Sequence, residues 1–113
     1  MINSGKVFFN DAKLKNIFNL LPDEDPLKKG IIKAIQDIRI NCQVGEIVKK
    51  DSVILKNYTK KYGVKNIRVY DLPLAYRLIY TVTHDGIEII SVILNWTTHK
   101  DYDKMNKRKI FSF

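Results

Sequence analysis

The stretch whose reading decides the fold is Asn66 to Tyr102, NIRVYDLPLAYRLIYTVTHDGIEIISVILNWTTHKDY. Three β-like runs follow one another within it. In the first, Ile67 and Val69 alternate with Arg68 and Tyr70, and Asp71-Leu72-Pro73 interrupts the run. Tyr76 to Val82 forms the second run, and Asp85-Gly86 behind it is the residue pair of a tight two-residue hairpin turn. Glu88 to Trp96, the third, is apolar on both faces, the pattern of a central strand covered on both sides or over most of its length. Pairing across an Asp85-Gly86 turn sets residues near Tyr76 opposite residues near Asn95. Arg77 then lies close to where the chain leaves the sheet at His99, Lys100 and Tyr102. If the first run pairs on the other side of the second, Arg68 and Tyr70 join Arg77 on one face.

Upstream, Lys6 to Phe9 is a short aromatic and β-branched run closed by Asn10-Asp11, both competent helix N-caps. Leu14, Ile17, Phe18 and Leu21 then recur at three- and four-residue spacing up to Pro22, which predicts a short amphipathic helix. Asp25-Pro26 restarts a helix, with an N-cap followed by proline at the first helical position. Its apolar stripe is Leu27, Ile31, Ala34, Ile35, Ile38 and Cys42, and it is expected to run from about Asp25 to Asn41. Two helices joined by a few residues predict a helical hairpin laid on the sheet. Residues 43 to 65 show no sustained periodicity and read as a lysine-rich loop in which Lys49, Lys50, Lys56, Lys60, Lys61 and Lys65 alternate with Tyr58 and Tyr62. Lysine with tyrosine suits backbone phosphates and stacked bases, although a solvated loop has the same composition.

The expected fold class is therefore α+β: a short N-terminal strand, a two-helix hairpin packed on a small, mainly antiparallel sheet, and a short C-terminal helix or tail. Residues 1 to 113 make one domain, since 113 residues fill a single core but not two. With 45% hydrophobic residues the chain can bury that core without staples. Cys42 is the single cysteine, which excludes an intrachain disulfide and a cysteine-based zinc site and fits a reducing cytoplasm. The N-terminal residues carry charges every few positions, so neither a signal peptide nor a membrane span is expected there.

The formal net charge of +8 favours polyanionic partners. Its distribution is uneven. Residues 49 to 77 hold eight basic and two acidic residues, residues 78 to 94 none and two, and residues 95 to 113 five and two. A sheet that sets residues 66 to 77 beside residues 95 to 102 merges two basic segments into one surface.

Arg68, Arg77, His99, Lys100, Tyr102 and Lys104 include no carboxylate pair, glycine-rich phosphate loop or Ser-His-Asp set. Cationic and aromatic chemistry on a phosphodiester remains. Metal-free RNA cleavage needs a base for the 2′-hydroxyl, cations for the charge that develops on phosphorus, and an acid for the departing 5′-oxygen. Arginine forks suit the phosphate oxygens, and a histidine with its ordinary pKa of about 6.5 can be acid or base. Tyr102 or Tyr70 can stack on a base or pass a proton. The plainer roles are an ion pair of Arg77 with Asp71 or Glu88, a surface position for His99, and helix docking for Tyr102. His84, beside the hairpin turn, reads as solvated.

The order short strand, two helices, antiparallel strands, with NIRVYDLPLAYRLIYTV and VILNWTTHKDYDKM, resembles the RelE/ParE superfamily of type II toxin-antitoxin toxins over about residues 6 to 105. The pieces that carry the resemblance best are Tyr76-Arg77-Leu78-Ile79-Tyr80 and His99-Lys100-Asp101-Tyr102. The resemblance implies a cytoplasmic ribonuclease that cuts mRNA on the ribosome without metal or cofactor and is neutralised by an antitoxin in a hetero-oligomer. It also implies catalytic roles for Arg68, Arg77, His99 and Tyr102, while the charge and aromatic pattern itself suggests RNA contacts for Lys56, Lys60, Lys61, Lys65, Tyr70, Lys100 and Lys104. The longer Gly45 to Lys65 segment and Tyr70, where a basic residue is frequent, depart from the pattern. A ParE-like inhibitor of DNA gyrase and a non-catalytic RNA-binding module of the same fold are the alternatives.

Overall fold

The apolar hairpin forms the centre of the molecule. The computed structural model of the chain describes residues 5–107. In it β4 (Tyr76–Asp85) and β5 (Glu88–Thr98) pair antiparallel along their whole length. Asp85 pairs with Glu88, so the two-residue loop is Gly86-Ile87, one position later than the sequence suggests. The reason lies in the backbone. Gly86 has φ +63, and glycine as the first of two loop residues is the requirement of a type II′ turn.

The other strands are β1 (Lys6–Phe9), β2 (Glu46–Ile47) and β3 (Arg68–Leu72), and the sheet order is β1-β5-β4-β3-β2. Only β1 runs parallel to its neighbour, β5. The architecture is α+β with a five-stranded mixed sheet. Of the helices, α1 (Ala12–Leu20) and α2 (Pro26–Ile40) follow their capping signals: Asp11 accepts from the Leu14 N–H and Asp25 from the Leu27 N–H. Among the described residues no helix is long and apolar enough to cross a membrane.

The segment read as a loop contains a third helix, α3 (Val53–Tyr62). Ser52 caps it by accepting from the Leu55 N–H, and Gly63, at φ +73, closes it in the left-handed conformation. Ile54, Leu55 and Tyr58 are buried. Ten residues, three of them lysines, are too short for a periodicity to stand out, but the two caps mark the helix. The last helix, α4 (His99–Lys107), starts where β5 ends. Asn57, buried on α3, donates through Nδ2 to the Met105 carbonyl at 2.6 Å, and the Ile54 N–H donates to Asn106 Oδ1, so α3 and α4 are docked on each other.

Helices therefore cover both sides of the sheet. On one side α2 contributes Leu27, Ile31, Ala34 and Ile38 to a core with Leu72, Leu78, Tyr80 and Ile93. On the other, Ile54, Leu55 and Tyr58 of α3 and Met105 of α4 pack with Ile67, Ile79 and Leu94. This explains why β5 is apolar on both faces. Cys42 is buried at the end of the α2 stripe, as its spacing suggests. A register shift between Ile79 and Tyr80 inserts Leu94 as an extra residue in β5, because Tyr80 pairs with Ile93 and Ile79 with Asn95. Beyond the bulge the alternation of β5 is inverted. Trp96 turns to the α2 side with Leu78, and Thr97 lies beside Arg77.

Candidate active site and groove

Together, the later turn and the bulge move the far end of the hairpin by three residues: Tyr76 pairs with Thr98 instead of a residue near Asn95. This places Arg77 beside Thr97, two residues before His99. The His99 N–H donates to the Ala75 carbonyl at 2.9 Å, tying the start of α4 to the β3–β4 turn. That turn holds Leu74 at φ +62 and Ala75 at φ +58, two side-chain-bearing residues in the left-handed region, each costing about 1 kcal/mol or more.

Arg77, His99 and Tyr102 converge. The Arg77 guanidinium carbon lies 4.6 Å from the centre of the Tyr102 ring, in cation–π contact. Arg77 Nε is 3.6 Å from Asp71 Oδ1, and His99 Nε2 is 3.8 Å from the same oxygen. Of the two carboxylates considered for Arg77, Asp71 is thus the partner, while Glu88 pairs with Lys6 at 3.4 Å. Burial pushes the Tyr102 phenol above its ordinary range, opposed by the nearby Arg77 charge and reinforced by Asp103 and Glu46. Tyr102 therefore stays protonated near neutrality. Arg77, Tyr102 and Asp71 open onto a groove of about 500 Å³, whose wall also includes Lys49, Ser52 and Asn106. Lys49 here adds a second cation.

Arg68 and Tyr70 do not join this site, contrary to the sequence expectation. Arg77 pairs directly with Asp71, so the odd-numbered residues of β3 share its face, and Arg68, paired with Tyr80, lies on the opposite one. There the Arg68 Nη1 donates to the carbonyls of Gly45 at 2.7 Å and Gln43 at 3.2 Å, holding the entry to β2. Tyr70 donates through its hydroxyl to Asp37 Oδ2 at 2.6 Å, and Lys33 Nζ donates to the same oxygen at 2.9 Å. These hydrogen bonds hold the Asp37 carboxyl below its ordinary pKa. Parity decides the matter: a strand residue one position away points to the other side of the sheet.

The lysine segment is also rearranged by α3. Tyr58 cannot stack on a base, because it is fully buried and its hydroxyl donates to Asn95 Oδ1 at 2.8 Å. Tyr62 stacks on it with ring centres 5.7 Å apart. Lys56, Lys60 and Lys65 border, with Lys50, a separate hollow of about 480 Å³ floored by Leu55 and Thr59. Lys61 Nζ lies 5.6 Å from the centre of the Tyr62 ring. Lys100 and Lys104 are exposed on α4, and His84 is exposed near the end of β4.

Asp71, Ser52 and Asn106 are among the groove residues that sequence reasoning did not select for function, whereas Lys49 belongs to the lysine-rich segment that it read as suited to phosphates. For Asp71 a signal existed, since a three-residue turn after Leu72 sets Asp71 opposite Arg77. For the others none did, because their approach depends on α3. Among the described residues no group of three or more His, Cys, Asp or Glu side chains is placed to hold a metal ion. Comparison of the chain with protein-family models, with curated proteins and with solved structures finds no match.

Proposed function

We propose that the chain is a RelE-like toxin, an endoribonuclease that cleaves mRNA at the ribosome in the cytoplasm and is held inactive by an antitoxin partner. The observation that carries this reading is the contact of Arg77 with Tyr102 in the wall of one groove, with His99 next to them across the shared Asp71 carboxylate. Arg77 contacts the non-bridging phosphate oxygens and stabilises the charge they gain. His99 takes the 2′-hydroxyl proton as base. Tyr102, held protonated, gives its proton to the departing 5′-oxygen, for which a weak acid suffices because an alkoxide is far more basic. The 2′-oxygen bonds to phosphorus as the P–O5′ bond breaks, leaving a 2′,3′-cyclic phosphate and a 5′-hydroxyl. Lys49, Lys100 and Lys104 serve the RNA backbone around that centre.

The test is Arg77→Ala. Growth inhibition and ribosome-dependent mRNA cleavage are expected to fall by about 100-fold or more, the scale of losing a donor to the reacting oxygens. The circular dichroism spectrum is expected to stay unchanged. Undiminished toxicity in a folded variant overturns the assignment. One observation favours a second reading: the Asp71 carboxylate already offsets the Arg77 charge, as suits a module that holds RNA without cutting it. Salt-dependent RNA binding with no cleavage product, ribosomes present, selects that reading.

A further inference from the structure

The oxygen that faces both Arg77 and His99 belongs to the protein itself. Asp71 Oδ1 is 3.6 Å from Arg77 Nε and 3.8 Å from His99 Nε2, too far for a hydrogen bond to either. His99 Nε2 is screened from solvent and has no hydrogen-bond partner among the described residues, although the side chain as a whole is 40% exposed. A shielded ring nitrogen with unmet hydrogen-bonding capacity calls for an explanation. The two sides of the contact differ in freedom. The Arg77 side chain is 28% exposed and lies against the Tyr102 ring, whereas the Asp71 side chain is 79% exposed. The cation is held and the anion can swing away.

We infer that Asp71 is a built-in competitor for the anion that Arg77 and His99 bind, its Oδ1 standing where one oxygen of a phosphate would sit. This rests on reading the groove as a phosphodiester site. A phosphate carries several oxygens on one centre, so it reaches hydrogen-bond distance of the guanidinium and the imidazole where the strand-bound carboxylate reaches neither. Displacing Asp71 is cheap, because an ion pair with so exposed a partner contributes little. The anion site is thereby contested in the free protein and favours ligands that outcompete a carboxylate, as a phosphodiester in a polyanionic strand does.

Titration of the full-length chain with inorganic phosphate tests the inference, with the Arg77 Nε–H and His99 imidazole signals followed by NMR. Asp71→Asn is expected to bind phosphate about two- to fivefold more tightly than the wild type, the scale of one weak ion pair. Asp71→Ser is expected to do the same. Asp101→Asn removes the same charge from α4 and is the control for net charge. Adding Arg77→Ala to Asp71→Asn is expected to abolish the gain. Equal affinities for Asp71→Asn and Asp101→Asn, or no phosphate response at these two signals in any variant, overturn the inference. A ribosome-dependent cleavage assay on the same proteins separates it from the proposed function. Tighter phosphate binding without any RNA cleavage upholds the competitor and removes the nuclease. Cleavage that needs Arg77, with phosphate affinity indifferent to Asp71, does the reverse.

Discussion

Arg68 and Arg77 are the same residue type on adjacent strands, and their surroundings give them different work. Arg77 lies against Tyr102 at the groove, with an exposed carboxylate as its ion-pair partner. Arg68 spends a guanidinium nitrogen on two backbone carbonyls on the other side of the sheet. Arg68→Ala is accordingly expected to lower unfolding free energy by about 1.5 kcal/mol, the scale of a charged hydrogen bond, while ribosome-dependent cleavage stays at the wild-type rate. Urea denaturation beside a cleavage assay checks both halves. A loss of cleavage in the folded variant would return Arg68 to the active surface. Tyr80 shows the same economy of position: its buried hydroxyl donates to the Cys42 carbonyl at 2.7 Å and accepts from the Gly45 N–H at 2.9 Å. Arg68 and Tyr80 thus pin the segment that leads from α2 into β2 from neighbouring strands.

At the scale of elements, α3 matters most for the groove, since Ser52 and Ile54 line it. Its ends are chemically defined by Ser52 and Gly63, and its middle is held by Asn57 and Tyr58. Ser52→Ala removes the side-chain acceptor for the Leu55 N–H and is expected to cost about 1 kcal/mol, seen as a lower urea midpoint with an unchanged slope. An unchanged midpoint would mean that the cap contributes nothing. The β-bulge at Leu94 acts on the site from a distance. It inverts the alternation of β5, so that Trp96 enters the α2 core while Thr97 lies beside Arg77. The Gly86-Ile87 loop sets the register that the bulge then shifts. Neither effect is available to pattern reading, since a bulge leaves no signature in a run that is apolar on both faces, such as Ile89 to Trp96.

For the molecule as a whole, the two faces of the sheet divide structure from candidate function. The α2 face closes with its own polar lock, Lys33 and Tyr70 both donating to Asp37. The folded-state pKa of Asp37 is lowered, chiefly by the Tyr70 hydrogen bond and then by Lys33. Its contribution to stability is therefore complete above the ordinary carboxylate pKa, about 4, and is lost as pH falls through the lower folded value. Acid unfolding followed by circular dichroism is expected to show this loss below about pH 4. In Asp37→Asn that part of the pH dependence is expected to vanish, and a variant with the wild-type acid profile would contradict the assignment. On the other face, α3, α4 and the sheet leave a groove with Arg77 and Lys49 in its wall.

By itself the sequence determined what local chemistry controls. Asp11, Asp25 and Pro26 set the helix starts, the spacing from Leu27 to Ile38 chose the buried stripe of α2, and the apolar β5 announced a strand covered on both sides. It also brought His99 and Tyr102 toward Arg77, because both follow directly from the end of a strand paired with β4. The tertiary structure decided which face each arginine occupies, where the hairpin register falls and what covers the Lys49 to Lys65 segment. Those depend on pairing parity, on one inserted residue at Leu94 and on the docking of α3 against α4. A capping signal acts over three or four residues and can be read in place. Strand register is a sum over distant pairs, and a shift of one residue sends a side chain to the opposite side of the sheet.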